Sequence, residues 1–489
     1  LINHKELGWG YKTVPQPSLN NRSLLTPRGR VLGGCSSTNG MVYYRGHPKD
    51  FDDWAAAGNP GWSFPEVLPY FIRSENNDTF KDPRWHGVDG PMTVSSIVDP
   101  NPMNSVFLEA TAQCGYPRCE DFNGSMDPIG FNTRQGCIKK GRRESGVTAF
   151  LKPIRKRANL EIVTNALVTR VLVSDRRATG VELNRDGELV QVQARREVIL
   201  AGGTIGSPQI LMLSGIGDGR DLQKLGIAVQ HDLPAVGRNY HDHPAIGVLY
   251  KTDVPESYGL SWRAAPRNVG ALFKYLLLRR GPLASNLFES TGFLRSMEGL
   301  DRPDVQLVFQ PARRNLSPFP LPLQHGYSMN PLVLYPKSRG RVTLAGPDPH
   351  GKPLIDPNLL GNESDIEPLV RCIRITRKIF AAPAFARYAG VEFGPGPAAQ
   401  GDEELKSYIR NNAVTVHHPV STCRMGQGAD AVVDAELRVH GMTGLRVADA
   451  SVFPSIVGGN TNAAVVMVAE KASDLILGRP APAPINPIA

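Results

Sequence analysis

The sequence predicts a mixed α/β fold, a dinucleotide-type domain interleaved with a substrate domain built on an antiparallel sheet flanked by helices. Three observations lead there. At 489 residues the chain exceeds what one simple core holds, so it divides into two domains or one interleaved pair. The apolar strand "VILAG" (198–202) runs through glycines into "GTIGSPQILMLSGIG" (203–217), the strand-to-helix order of dinucleotide folds. The tail "GLRVADASVFPSIVGGNTNAAVVMVAEKASDLI" (444–476) returns to strand, turn and helix after a long stretch of different texture.

In chain order, the opening third holds the glycine-serine turn "RGRVLGGCSSTNGMVYYRG" (28–46). It continues into "DFDDWAAAGNPGWSFPEVLPYFIRSE" (50–75), whose short helices break at Asn59-Pro60-Gly61. Period-two alternation marks "LEIVTNALVTRVLV" (160–173) and "TGVELNRDGELVQVQARREVILAGG" (179–203) as strands of a hairpin-bearing sheet. Pro208 is read as the start of the next helix, since proline is tolerated in a first turn. Residues 230–420 are mixed, with strands expected at "DVQLVFQP" (304–311) and "PLVLYPKSRGRVTLAG" (331–346) and a helix at "SDIEPLVRCIRITRKIFAA" (364–382). The last helix is apolar at Val465, Val466, Val468, Ala469, Ala472 and Ile476, and no internal repeat is visible.

Composition excludes several classes. Hydrophobic residues at 41% and charged residues at 21% are globular values, which removes disorder and fibres. The net charge of +9 raises the question of nucleic acid, but only scattered clusters such as "KKGRR" (139–143) and "KPIRKR" (152–157) occur, without interleaved aromatics. Nucleic acid is therefore not expected. A phosphate-bearing cofactor or an anionic surface suits the excess charge better, with solvated faces taking most of it. Six cysteines without a CxxC pair give neither a disulfide scaffold nor a zinc spacing, and a reducing, cytoplasmic home is the simpler expectation. The chain enters at Leu1 rather than Met, so secretion stays open. The longest apolar run, "AAVVMVA" (463–469), falls far short of the ~20 residues of a membrane span. "HDHP" (241–244) lacks a third ligand at suitable spacing, so no metal is expected.

Three stretches can carry chemistry. "VLGGCSSTNG" (31–40) offers backbone N–H groups and small side chains to a flat or phosphorylated ligand, though an ordinary tight loop reads the same way. "RVADASVFPSIVGGNTN" (446–462) opens a helix with Asn460, Thr461 and Asn462 as cap candidates, and a helix N-terminus also favours an acceptor gaining negative charge. "TVHHPVSTCRMG" (415–426) sets His417 and His418 before Pro419, which biases His418 to an extended backbone and turns the two rings roughly apart. Only one of them can face a given pocket, as a base or as a packed core residue.

Together these stretches resemble the glucose-methanol-choline (GMC) oxidoreductases, flavoproteins that oxidise alcohols, over essentially the whole chain. "GRVLGGCSSTNGMVYYRGHPKDFDDW" is similar to the family's first signature and "GTIGSPQILMLSGIG" to its second. "HHPVSTCRMG" is similar to its HPxGT segment, and "DASVFPSIVGGNTNAAVVMVAEKASDLI" to its C-terminal one. The resemblance implies a non-covalent FAD, with His418 as catalytic base and Asn460 as the second active-site residue. Removal of the hydroxyl proton accompanies hydride departure to flavin N5. It further implies cofactor contacts at Val31, Gly33, Gly34, Cys35, Asn39, Gly40, Met41 and Val42, a backbone contact to adenine at Val168, and contacts at Asp449, Ala450 and Asn462. On this reading 1–220 is the remainder of the FAD-binding region and 221–335 a substrate segment. Residues 336–475 form the C-terminal region that returns to the FAD domain, and 476–489 a tail.

Departures accompany the resemblance. The family's N-terminal GxGxxG strand-turn-helix is not in the sequence, an expected offset of roughly 80 residues. Thr38 stands where some choline-oxidising members carry a histidine joined covalently to flavin, Ser421 where glycine is usual, and Cys35 where Ser or Gly is usual. Glu289 in "NLFESTGF" (286–293) resembles a carboxylate that meets the choline ammonium, while a solvated or salt-bridged surface glutamate is the plainer expectation. The expected partner is a small-molecule alcohol. The electron acceptor (a quinone, a dye-like carrier or O2) and the oligomeric state stay open. A flavin-containing lyase or photodecarboxylase of the same fold, or a flavin-free binding remnant, are the competing readings.

Overall fold

The structure is a computed structural model describing residues 6–314 and 324–488. In chain order, the elements that position the site begin with helices α1 (Pro48–Ala56), α2 (Phe64–Ser74) and α3 (Met103–Gln113) and strand β1 (Gly130–Thr133). Strands β2 (Ala166–Ser174), β3 (Arg177–Arg185), β4 (Glu188–Gln193) and β5 (Val198–Leu200) lead into helix α4 (Gly203–Leu213). Next come β6 (Pro244–Ala245), β7 (Val248–Lys251), α5 (Ala265–Leu278), β8 (Ser290–Leu294), β9 (Val305–Gln310) and β10 (Gly326–Val333). The chain closes with α6 (Glu367–Phe380), β11 (Val391–Gly394), β12 (Val414–Thr415), β13 (Leu445–Val447) and α7 (Asn462–Leu477).

The expected α/β grammar is visible where β5 lies parallel to β13, with Val198 opposite Leu445 and Leu200 opposite Val447. Each of these strands turns into a helix region, α4 after β5 and α7 after β13. The expected hairpins form an antiparallel sheet, β4-β3-β2. Among the described residues, eight strands share a second, antiparallel sheet that runs β11-β7-β10-β9-β8-β1, with β6 and β12 beside it. Strand β1 comes from the block that the sequence assigns to the cofactor region, so the two regions interleave ahead of residue 221.

Aromatic packing holds each half. Phe51, Trp54, Trp62 and Phe453 meet under α1, α2 and α7, all 0% exposed, and burying one such ring contributes about 2–3 kcal/mol. On the sheet side Phe107 stacks on Phe309 at 4.5 Å between ring centres, while Phe380 and Phe385 pack on Tyr327.

Two elements depart from expectation. Helix α4 begins at Gly203, five residues before Pro208, which sits inside it. Proline removes the N–H that would bond the Thr204 carbonyl, and the Thr422 hydroxyl donates to that carbonyl instead at 2.6 Å. The strand expected over 331–346 divides: β10 starts at Gly326 and ends at Val333, and a separate short strand covers Arg341–Thr343. Pairing of Tyr327–Met329 with β7 recruits the polar start of β10, and Pro336 with Gly340 interrupts its continuation. Each cysteine is a free thiol. Among the described residues no helix is long and apolar enough to cross a membrane.

Candidate active site

Two antiparallel segments build the base of the site. Pro244 pairs with Thr415 and Ala245 with Val414, and beyond a bulge His241 pairs with Val420. The bulge runs from His417 to Pro419, and His417 takes a left-handed φ of 65°. Asp242 fills it: one carboxylate oxygen accepts the backbone N–H groups of His243 and His418, both at 2.8 Å. Burial pushes this carboxyl up to about 7, with Arg28 and the backbone donors pulling the other way.

This backbone gives the adjacent histidines separate partners, through the left-handed turn at His417 and not through the extended alternation that the sequence predicts. The His417 ring turns to the Thr415 hydroxyl at 3.1 Å, and its carbonyl accepts from Arg28 at 2.8 Å. The His418 ring turns the other way, with Nδ1 3.1 Å from Nδ1 of His243 and Nε2 3.1 Å from Nδ2 of Asn460. An amide N–H donating to Nε2 leaves the ring proton on Nδ1, directed at His243, whose plane stands at 88° to that of His418. Burial, followed by the fields of His243, His417, Arg28 and Arg134, holds His418 well below the usual imidazole range. Burial also holds His243 down at about 3, so both rings are neutral near pH 7.

Asn460 is delivered by a constrained loop. A side chain at Gly458 would place its Cβ 2.1 Å from the Tyr335 hydroxyl, and one at Gly459, 2.3 Å from the Tyr44 ring. Only glycine passes between these tyrosines. The buried Asp50 on α1 pins the same loop: it accepts from Gly458 N–H at 2.7 Å, the Tyr335 hydroxyl at 2.8 Å and Arg302 at 3.2 Å. His241 adds a further pin. Its Nδ1 donates to the Asn239 carbonyl at 2.7 Å, and its Nε2 accepts Ile456 N–H at 2.9 Å. Of the three cap candidates Thr461 takes the N-cap position of α7 but makes no side-chain hydrogen bond, and the Asn460 amide meets His418 instead of the helix end.

The other sequence-derived positions fall in two groups around this pair. Val31, Gly33, Gly34 and Cys35 lead a half-open turn that continues through Asn39. The Asn39 side chain accepts from Met41 N–H at 2.9 Å and from Arg143 at 2.7 Å, the Gly40 carbonyl accepts from Asn286 at 2.8 Å, and Val42 is buried. Asp449 ties the return strand to α4, accepting from Gly203 N–H at 2.9 Å and the Ser207 hydroxyl at 2.5 Å, and the Ala450 carbonyl accepts Ser421 N–H at 3.2 Å. Asn462 opens α7, and Val168 lies half-buried in β2.

Glu289 is neither solvated nor on the surface. It is 0% exposed and its carboxylate accepts from Asn101 N–H at 2.9 Å, Asn104 Nδ2 at 2.5 Å and the Tyr258 hydroxyl at 2.8 Å. The sequence reading missed Asp242, His243, Arg28 and Arg134. The "HDHP" signal was in view, weighed only as a metal motif. Among the described residues no group of three His, Cys, Asp or Glu is placed to hold a metal.

The residues present fit a flat, amide-rich ligand. The Asn460 carbonyl oxygen is buried without a protein partner. Gly203, at a φ of 75° on the N-terminus of α4, faces open space where a Cβ would stand.

A neutral imidazole and an amide meeting beside the antiparallel sheet suit removal of a hydroxyl proton, and the likeness to known proteins makes the class a flavin-dependent oxidoreductase of CH–OH donors. More particularly, the chain belongs to the GMC oxidoreductases, whose N- and C-terminal family models match residues 12–245 and 336–469. It is 41% identical to an alcohol dehydrogenase [acceptor] of Pseudomonas putida and 43% identical to an oxygen-dependent choline dehydrogenase of Rhizobium johnstonii. Each match spans 480 residues, 98% of this chain and 87% of the relative. Among solved structures it is similar to pyridoxine 4-oxidase from Mesorbium loti (30% identity, TM-score 0.85, covering 97% of this chain and 89% of that one). It is also similar to an FAD-dependent oxidoreductase from Chaetomium thermophilum (26%, 0.88, 96% and 90%). The family and these neighbours imply FAD as the cofactor. The lyase reading has no support among them.

Proposed function

We propose that the chain oxidises an uncharged primary alcohol to its aldehyde, with His418 taking the hydroxyl proton and Asn460 holding the alcohol oxygen. The observation that carries this reading is the 3.1 Å contact between His418 Nε2 and Asn460 Nδ2, backed by His243 on the far side of the ring. A neutral Nε2 lone pair accepts a proton, and the amide N–H stabilises the oxygen as it becomes alkoxide-like. FAD would supply the two-electron acceptor, and the 31–42 turn, the Asp449–Ala450 stretch, Asn462 and the Val168 strand would hold it. The link is non-covalent, because Thr38 brings a hydroxyl where a covalent member has an imidazole.

Two features favour an uncharged alcohol over choline. The buried Glu289 carboxylate, held by Asn101, Asn104 and Tyr258, lies within the field of Arg134, whose positive charge offsets its own. Arg134 is buried close enough for its field to depress His418, and such a cation opposes a quaternary ammonium.

Anaerobic mixing of the FAD-loaded protein with a straight-chain primary alcohol or with choline tests the proposal. The flavin's visible absorbance is expected to bleach with the neutral alcohol and only weakly with choline. In His418→Ala the flavin stays bound while bleaching slows by ~10²–10⁴-fold. Unchanged bleaching in that variant removes the base assignment, and efficient bleaching by choline removes the substrate assignment.

A further inference from the structure

Between Glu256 and Glu289 the sequence has no aspartate or glutamate, but it has five cations, Arg263, Arg267, Lys274, Arg279 and Arg280. At the centre of this stretch stands α5, whose 14 residues include none that is buried. Val269, Phe273, Leu276 and Leu277 recur at three- and four-residue spacing and so share one face. They are 53%, 59%, 55% and 78% exposed, Trp262 just ahead of the helix is 84% exposed, and Leu283 beyond it is 53% exposed. Large apolar side chains gathered this openly mark a surface that meets something other than water.

The cations frame that face. Arg263 and Arg267 reach the carbonyls of Asp253, Pro255 and Ser257 at the start of the helix. Lys274 and Arg280 share the single carboxylate of Asp99, both at 3.1 Å. Arg279 lies over the Tyr275 ring, and its carbonyl abuts Gly141, next to Lys139, Lys140 and Arg142.

We infer that α5, with Trp262 and Leu283, docks on an anionic phospholipid bilayer with the helix axis in the plane of the surface. An apolar stripe of Trp, Phe and Leu flanked by Arg and Lys matches the chemistry of the headgroup–acyl boundary. At ~1.5 Å per residue the helix reaches only ~21 Å, short of the ~30 Å hydrocarbon core, so it lies on the membrane and does not cross it. A second copy of the chain fits less well: a two-fold contact places the same patch on both sides and sets five cations against five. Anionic headgroups neutralise them. The docked face also adjoins the candidate site in sequence. Three residues after Leu283, Asn286 holds the Gly40 carbonyl at 2.8 Å, and the Phe288 ring stands 3.5 Å from where a Gly40 Cβ would be. The docking stands independently of the reaction assigned above.

The test mixes the purified protein with phosphatidylcholine vesicles containing or lacking phosphatidylglycerol and reads sedimentation and tryptophan emission. Trp54, Trp62 and Trp85 are buried and Trp9 is half-buried, so a blue shift on binding reports chiefly Trp262. Expected are sedimentation and a blue shift with phosphatidylglycerol vesicles, loss of the shift but not of sedimentation in Trp262→Phe, and weaker binding in Lys274→Glu/Arg280→Glu. Phe273→Glu/Leu277→Glu should lower partitioning at least ~10-fold at an unchanged thermal midpoint. Absence of sedimentation overturns the inference, as does equal binding by Phe273→Glu/Leu277→Glu. So does a concentration-dependent dimer that this variant dissolves, which would assign the face to a second copy.

Discussion

His243 gives the residue scale its sharpest expectation. In the proposed mechanism the His418 Nδ1–H points at His243 Nδ1, so His243 fixes which nitrogen of the base is free and steadies the ring once it carries a second proton. It meets Nδ1 of His418, while Asn460 meets Nε2, so in this mechanism it acts through His418 as a positioning residue. His243→Leu should lower the flavin-reduction rate ~10–100-fold at nearly constant KM, and His243→Asn, which keeps an acceptor near the Nδ1 position, should recover most of that loss. In the parent the acid limb of the reduction rate lies well below pH 6.5, because burial depresses His418, and His243→Leu should displace it. Stopped-flow reduction across pH reads all of this, and a leucine variant with parental rates and profile would sink the idea. The contrast with His418 explains what was legible at this scale. His418 sits in a recognisable segment, whereas its contact with His243 spans 175 positions that no spacing rule connects.

Among the elements, the His417–Ser421 loop stores strain that can be relieved. Ser421 holds a φ of 76°, and its hydroxyl is buried without a partner. A non-glycine residue in this region costs ~1–3 kcal/mol, while glycine's extra freedom in the unfolded chain costs ~0.5–1 kcal/mol. Strain outweighs entropy, so Ser421→Gly should stabilise the fold by about 1 kcal/mol, read as a rise in thermal midpoint. A fall would mean that the hydroxyl has a role beyond the backbone. The elements read well where one local pattern ruled, as in α6 and the β2–β3 hairpin. They read poorly where a distant partner intervened: Thr422 completes α4 around Pro208, and β7 draws the polar start of β10 into the sheet. Helix α5 passed unread because no residue of it is buried among the described residues, so no internal packing pattern marked it.

At the scale of the whole molecule, the buried ionisable groups set the acid limit. Burial holds His241, His243 and His417 at about 3 and His47 at about 4, with His418 also depressed. These imidazoles stay neutral in the fold but protonate on unfolding below pH 6.5, so their contribution is complete above 6.5 and drains away as pH falls. Asp50, raised to about 6, and Asp242, raised to about 7, act in the opposite sense, since the fold retains protons that the open chain releases. The histidines outnumber them by roughly three protons, about 4 kcal/mol per pH unit between pH 6 and 4. Thermal midpoints should therefore be nearly level above neutrality and fall steeply below pH 6. A level profile down to pH 5 would contradict this balance.

Asp50 carries one more implication. A single carboxylate on α1 reaches the loop that bears Asn460, the tyrosine that wedges that loop, and an arginine from the strand connection across the sheet. The geometry proposed for catalysis is thus knotted from stretches hundreds of positions apart. An evolving relative could not inherit half of it: shuffling the front of this chain onto the back of a cousin would preserve the chemistry only if both parents brought compatible ends of that knot.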